Sequence, residues 1–310
     1  MKVVITGGCG FIGSHIVEYW ISRNADVHII DNLRSGYKKN IEIFDQTNIT
    51  LREGSITDKS LVDEALKDAD YVFNLAALVS VPESMDKPKE TIDINVGGLL
   101  NLLEAGKNNG IKKLVHSSSA AVYGDDPELP KITKMRPNPK SPYGITKLDG
   151  EYYCQMFTEA YGVKTVSLRY FNAFGPRQDP KSMYAAAIPI FISKAVKNED
   201  ITIYGDGEQT RDFVYVKDIV KANLLAAENP NVTGVFNVAQ GKSITIKKLA
   251  EWIIEIIGSQ SKINFEDERA GDIKHSLASI VNTVEQLKFQ PEYDLKTGLE
   301  KTIEFFTNKN

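Results

Sequence analysis

Directly after a short β-branched run, Lys2–Thr6, the chain reads Gly7-Gly8-Cys9-Gly10-Phe11-Ile12-Gly13 and then continues in a helical period. Glycines this dense at a strand-to-helix junction leave few folds open. A turn without side chains lets the backbone approach a pyrophosphate, and the first amides of the following helix present partial positive charge to it. The run carries both the Gly-x-Gly-x-x-Gly and the Gly-x-x-Gly-x-x-Gly spacing, so Gly7, Gly10 and Gly13 are the first candidate cofactor contacts. A tight turn with no ligand would use the same glycines; the strand and helix on either side favour the phosphate reading.

The rest of the first half repeats that opening. Strand-like runs at 27–30, 49–52, 71–75, 114–118 and 165–169 alternate with helical periods at 12–23, 60–67, 89–108 and 143–161. Such alternation predicts an α/β fold, a Rossmann-type doubly wound parallel sheet with helices on both faces. From Tyr170 the pattern becomes irregular, with weaker strands near Ile201, Phe213 and Val235 and helices over 184–197, 217–227, 246–257 and 295–306. Residues 1–169 are therefore expected to form the NAD-binding domain, with some later segments returning to it. Residues 170–310 are expected to form a smaller α/β domain, with the active site in the cleft between them.

Composition narrows the partners. With 37 basic and 41 acidic residues the net charge is -4, so nothing draws the whole chain to nucleic acid or an anionic membrane, and an anionic ligand needs a local cluster. No stretch approaches the roughly 20 apolar residues of a membrane span. The first residues read as strand and turn rather than secretion signal, because glycines interrupt the apolar run. Two cysteines, Cys9 and Cys154, and four histidines share no ligand spacing; no metal and a reducing cytoplasm are expected.

Asp31 stands at the end of the second strand, where a carboxylate accepts the ribose hydroxyls of NAD and repels the 2'-phosphate of NADP. Arg34, three residues on, keeps the other choice open. Tyr143-Gly-Ile-Thr-Lys147 is a Tyr-x-x-x-Lys pair, and on a helix these positions share one face. A nearby ammonium and the cationic ring of oxidised NAD would both favour the phenolate. Surface decoration is the competing reading for the pair alone. Ser117-Ser118-Ser119, at the expected carboxyl edge of the sheet, tips the balance, since Ser119 can bond the same reacting hydroxyl.

Taken together, TGGCGFIGSH, DNLRSG, SSSAAVYGD, SPYGITK, LRYFNAFGPRQDP, TRDFVYV and RAGDIKHS resemble the UDP-glucose 4-epimerase family of extended short-chain dehydrogenases/reductases, and in particular the members that accept UDP-N-acetylhexosamines. The resemblance implies Tyr143 as catalytic base, Lys147 on the nicotinamide ribose and lowering the tyrosine pKa, and Ser119 assisting proton transfer. It places Phe11, Ile12, Asp31, Asn32, Ser35 and Gly36 on NAD, Ser55 and Ile56 near the adenine, and Leu75, Ala76, Ala77, Asn95, Ser117 and Phe171 around the inner half. Gly54-Ser55-Ile56 and Val79 depart from relatives that carry acidic and lysine side chains there. A homodimer through the helices at 89–108 and 143–161 is also implied.

For the substrate, the same resemblance places Asn172, Arg211, Arg269 and Asp272 in diphosphate-binding segments, where guanidinium forks suit the anion. Gln178 and the run 184–187, Ala185 included, are expected along the nucleotide and sugar pocket, with Ser276 bordering the sugar 2-position and leaving room for an N-acetyl group. Ala120-Ala121-Val122 follow the serine strand end, where dehydratases and decarboxylases need acid and base groups; methyl groups move no protons. What remains is reversible oxidation at carbon 4 of a UDP-hexose, plain or N-acetylated. UDP-glucuronate epimerisation is the nearest alternative, and a silent NAD-sensing protein the alternative from another class.

Overall fold

The computed structural model describes residues 1–180, 187–268 and 273–308. In its first half the strands are β1 (Lys2–Thr6), β2 (Asp26–Asp31), β3 (Ile49–Glu53), β4 (Tyr71–Asn74), β5 (Lys113–Ser119) and β6 (Thr165–Tyr170). The helices between them are α1 (Phe11–Ser22), α2 (Lys59–Leu66), α3 (Val81–Asp86), α4 (Pro88–Ile92), α5 (Gly98–Asn109) and α6 (Pro142–Tyr161). Beyond Tyr170 come β7 (Asn172–Phe174), α7 (Ala187–Val196), β8 (Ile201–Tyr204), β9 (Thr210–Tyr215), α8 (Val216–Glu228) and β10 (Gly234–Val238). They are followed by β11 (Ser243–Thr245), α9 (Ile246–Ile257), β12 (Ile263–Glu266), α10 (Val281–Leu287) and α11 (Leu295–Thr307).

Among the described residues, seven strands form one parallel sheet in the order β10-β6-β5-β4-β1-β2-β3. Val3 of β1 pairs with Val27 on one side and Tyr71 on the other, so the order reverses between β1 and β4. In doubly wound sheets the ligand crevice opens beyond the carboxyl ends of the strands at that reversal. Both faces are covered, and the central strands β1, β5 and β6 are buried along nearly their whole length. Helices α1 and α8 bury Ile16, Val17, Trp20, Ile219 and Val220 on one face; α2, α5 and α6 bury Val62, Leu66, Leu99, Leu103 and Phe157 on the other. Each fully buried aliphatic side chain in these layers contributes roughly 1.5–3 kcal/mol.

The later segments build a second apolar core, in which Ile188, Phe191, Ile192, Ile203, Phe213, Leu249, Ile253 and Leu299 pack together. Its small sheets are β11-β9-β7 and β12-β8. The strand expected near Val235 is β10, which leaves this part to pair with β6 at the edge of the large sheet.

Two helices differ from their expected form. The segment expected to run unbroken over 89–108 is α4 and α5 joined by a wide π-type turn at Asp93–Gly97. Inside that turn Asn95 bonds the backbone of Leu78 in both directions. The helix expected over 184–197 is described from Ala187 as α7. Among the described residues no helix is long and apolar enough to cross a membrane.

Candidate active site

A cleft of about 430 Å³ lies along the carboxyl edge of β1, β2, β4 and β5 and is walled by the glycine turn. Gly7 takes a left-handed φ of +69°, and a β-carbon on Gly13 would stand 2.1 Å from the Gly7 carbonyl oxygen. Only glycine lets the turn close this tightly onto α1. No side chain caps the first turn of α1, so its amides are open to an anion. Asp31 is buried; its Oδ2 accepts the Cys9 amide at 2.9 Å and its Oδ1 the Leu33 amide at 2.8 Å. Burial pushes its carboxyl up, and the two amides pull it back.

Gly7, Gly10, Phe11, Ile12, Gly13, Asp31, Asn32, Ser35 and Gly36 all line this cleft, as do Ser55, Ile56, Leu75, Ala76, Ala77, Ser117 and Phe171. Ser55 Oγ accepts both the amide and the hydroxyl of Thr57, which leaves its own proton to donate. Among the residues expected on the cofactor, Asn95 does not line this cleft. Its amide is spent on Leu78 and on the Thr146 hydroxyl at 3.0 Å, and its neighbour Ile94 lines the cleft instead.

Ser141 caps α6 by accepting the Gly144 amide at 3.1 Å, Pro142 occupies the first turn, and Gly162 ends the helix in a left-handed conformation. These are ordinary start and stop signals, and they aim Tyr143 and Lys147 into the cleft from one helix face. Ser119 lines the cleft beside Tyr143, and its hydroxyl accepts the Ala121 amide at 3.1 Å. Lys147 Nζ donates to the Ser117 carbonyl at 2.6 Å and lies 5.8 Å from the centre of the Tyr143 ring.

The electrostatics differ from the expected depressed tyrosine. Burial pushes the Tyr143 phenol above its ordinary value, and the Ser119 hydroxyl only partly offsets it. Burial also pulls Lys147 down to about 8, so the ammonium expected to acidify the phenol is itself weakened by desolvation. Behind the pair, burial and the Lys147 charge hold His116 well below the usual imidazole range. Its Nδ1 faces the Asn74 amide nitrogen at 3.2 Å, as suits a neutral ring.

A second cavity, of about 510 Å³, meets the first at Ala173, which lines both. Asn172 and Arg211 are brought together here, with Gln209, Tyr204 and the apolar side chains of Phe213 and Ile246. The Asn172 amide donates to the Asp212 carbonyl at 3.0 Å, and Arg211 Nη1 to the Thr210 carbonyl at 2.9 Å. Gln178 lines the first cleft together with Tyr143, and its side-chain amide donates to the Ala173 carbonyl at 3.2 Å. Ser276 lines neither large cavity; its amide donates to the Thr210 carbonyl at 3.1 Å, which pins it along β9. Ala185, Arg269, Asp272 and residues 184–186 of the expected pocket run lie outside the described residues.

Arg177 belongs to the matched LRYFNAFGPRQDP segment, but the sequence assigns it no contact of its own. It adopts a left-handed φ of +67°, lines the first cleft, bonds Glu18 and leaves Nη1 buried without a partner. Gln178 Oε1 beside it is likewise buried and unpartnered. Buried polar atoms of this kind call for a ligand group, and together with the glycine cradle and Asp31 they make the donor set fit a dinucleotide. Tyr37, also unanticipated, donates to the Asp179 carboxylate at 2.6 Å and joins the loop after β2 to the segment after β7. Among the described residues no three His, Cys, Asp or Glu side chains gather to hold a metal ion.

Residues 3–239 match the NAD dependent epimerase/dehydratase family. A UDP-N-acetylglucosamine 4-epimerase from Methanobrevibacter ruminantium M1, solved in complex with UDP-N-acetylmuramic acid, is 47% identical. It superposes with a TM-score of 0.95 over 100% of this chain and 99% of that one. A UDP-glucose 4-epimerase from Thermotoga maritima, solved with UDP-glucose, is 37% identical with a TM-score of 0.94 over 100% and 99%. The similarity also reaches a decarboxylase. The UDP-N-acetyl-alpha-D-glucosaminuronate decarboxylase of Bacillus cytotoxicus is 34% identical over 98% of this chain and 97% of that one.

Proposed function

Because the chain belongs to the NAD dependent epimerase/dehydratase family and is an NAD-dependent UDP-sugar 4-epimerase by its relatives, we propose that its substrates are neutral UDP-hexoses, both N-acetylated and plain. The observation that carries the reading is the convergence of Ser119, Tyr143 and, one helical turn on, Lys147 on the lining of a cleft whose glycine turn and Asp31 suit a dinucleotide. The Ala120 and Ala121 methyls beside Ser119 hold no proton, which favours epimerisation over dehydration or decarboxylation.

Bound NAD supplies the reversible hydride acceptor for carbon 4. The chain's own residues bind, orient and move the proton. Tyr143 takes the 4-hydroxyl proton and returns it after the sugar has presented its other face, and Ser119 holds the same oxygen through both transfers. The protein's own groups leave the phenol protonated at neutral pH, so the reading requires the positive nicotinamide ring to draw it toward phenolate. Lys147, seated on the Ser117 carbonyl, orients the inner ribose. Asn172 and Arg211 in the second cavity suit the nucleotide diphosphate, which anchors the substrate while the hexose turns.

The 47% identical relative named for UDP-N-acetylglucosamine supports the acceptance of N-acetyl sugars. A second copy of this chain is the proposed partner. Ile145, Tyr152 and Met156 make one exposed stripe along α6, and Ile92 of the neighbouring α4 extends it. The cytoplasm is the proposed compartment, in keeping with two buried free cysteines.

The test incubates the protein with UDP-glucose, UDP-N-acetylglucosamine and UDP-glucuronate and identifies products by NMR. Tyr143→Phe should keep NAD and UDP-sugar affinity and lose at least about a hundredfold in rate, the usual contribution of a positioned acid or base. A variant as fast as the parent, or turnover of the glucuronate alone, refutes the reading.

A further inference from the structure

Arg34 follows Asp31 by three residues and lines the same cleft. In dinucleotide folds an arginine near this position commonly accommodates the 2'-phosphate of NADP. Here its guanidinium is already taken. Nη1 donates to Glu90 at 2.5 Å and Nη2 to Glu83 at 2.6 Å. Glu83 sits on α3 and Glu90 on α4, so the two carboxylates reach the loop after β2 from across the cleft wall.

The Arg34 hydrogen bonds hold both carboxyl groups below their usual range, so both are ionised at neutral pH. Lys87 shares them, 3.3 Å from Glu83 and 3.8 Å from Glu90. With one N–H of each Nη committed to a carboxylate, Arg34 is oriented toward Glu83 and Glu90 and its charge is offset before any phosphate arrives. Arg34 and Lys87 balance the two glutamates, so Asp31 leaves this side of the cleft net negative and a 2'-phosphate meets no uncompensated cation.

We infer that Glu83 and Glu90 are the cofactor-selectivity residues of this enzyme, acting through Arg34: by occupying its guanidinium they convert an NADP-compatible loop into one that takes NAD. Neither glutamate lines the cleft; both work at one remove. The inference rests on NAD occupying this cleft.

Isothermal titration of the dinucleotide-free protein with NAD and with NADP tests it. The parent binds NAD more tightly than NADP. Glu83→Gln with Glu90→Gln frees Arg34 and raises NADP affinity relative to NAD by about tenfold, the scale of one charge-assisted hydrogen bond. Glu90→Gln alone shifts the ratio the same way by less. Adding Arg34→Ala to the double variant returns the ratio toward the parent. If the glutamates merely strap the loop in place, the double variant weakens both dinucleotides equally, and an unchanged ratio overturns the inference. A parent that binds NADP as tightly as NAD also overturns it.

Discussion

Replacing Glu151 by glutamine strands a buried guanidinium directly beneath the active site. Glu151 follows Lys147 by one turn of α6. Its Oε1 accepts Arg169 Nε at 2.8 Å and the Ser118 hydroxyl, and its Oε2 accepts Arg169 Nη2 at 2.7 Å. The side chains are 3% and 4% exposed, so neither water nor salt screens the pair. Burial works against the Arg169 charge, and the Glu151 bonds outweigh it, holding the guanidinium above its ordinary value. Breaking a buried pair by removing one partner costs roughly 3–5 kcal/mol. The amide oxygen of glutamine and the Tyr123 ring 4.7 Å from the guanidinium remain, which places the expected loss near the lower end, about 3 kcal/mol. Against a typical stability of about 5–15 kcal/mol, that is a large fraction. Urea unfolding followed by circular dichroism reads it as a lower midpoint at unchanged slope. Glu151→Met with Arg169→Met should recover at least half of the loss, because an apolar pair leaves no charge unpaired. A glutamine variant that loses under about 1 kcal/mol, the worth of a surface pair, refutes the argument.

Gly13→Ala forces a β-carbon against the Gly7 carbonyl and should weaken NAD binding at least tenfold, about 1.4 kcal/mol, by fluorescence titration. Gly10→Ala, whose β-carbon would find that oxygen at 3.1 Å, should do less, and equal losses contradict the cradle. Burial lowers Lys147 from 10.5 to about 8, so between those values the unfolded chain holds a proton that the folded chain has released. The parent should therefore gain stability as pH rises through that window, with the full cost of the buried ammonium present below it. Lys147→Met should be the more stable protein at neutral pH, with the difference shrinking toward pH 10; a gap independent of pH counts against the shift. Tyr152→Glu with Ile92→Glu should convert a dimer to a monomer in sedimentation experiments, and an unaltered mass rules out this stripe as the contact.

How much was legible follows from what each feature depends on. The parallel sheet, the glycine turn, Asp31 and the 143–147 pair rest on local spacing: a strand, a turn and one helix face are set within a few residues of chain. Nearly every residue expected around the dinucleotide does line the first cleft. Asn95 does not; it sits in a π-type turn with its side chain bonded to Leu78 and Thr146, and neighbours rather than helical period decide such a turn. Arg177 was illegible for a similar reason. A left-handed arginine carries no composition signal, and its unpartnered nitrogen exists only once Glu18 has been folded against it.

From the amino-acid order alone came the fold class, the cofactor and the pair proposed to handle the proton, since these are read from periodicity and from chemistry carried on single elements. Tertiary structure alone decided where Gln178 and Ser276 sit, why the buried tyrosine is raised, and how two distant glutamates reach Arg34. Each of those depends on burial or on contacts between elements far apart in the chain, and neither desolvation nor a long-range ion pair leaves a mark on local sequence.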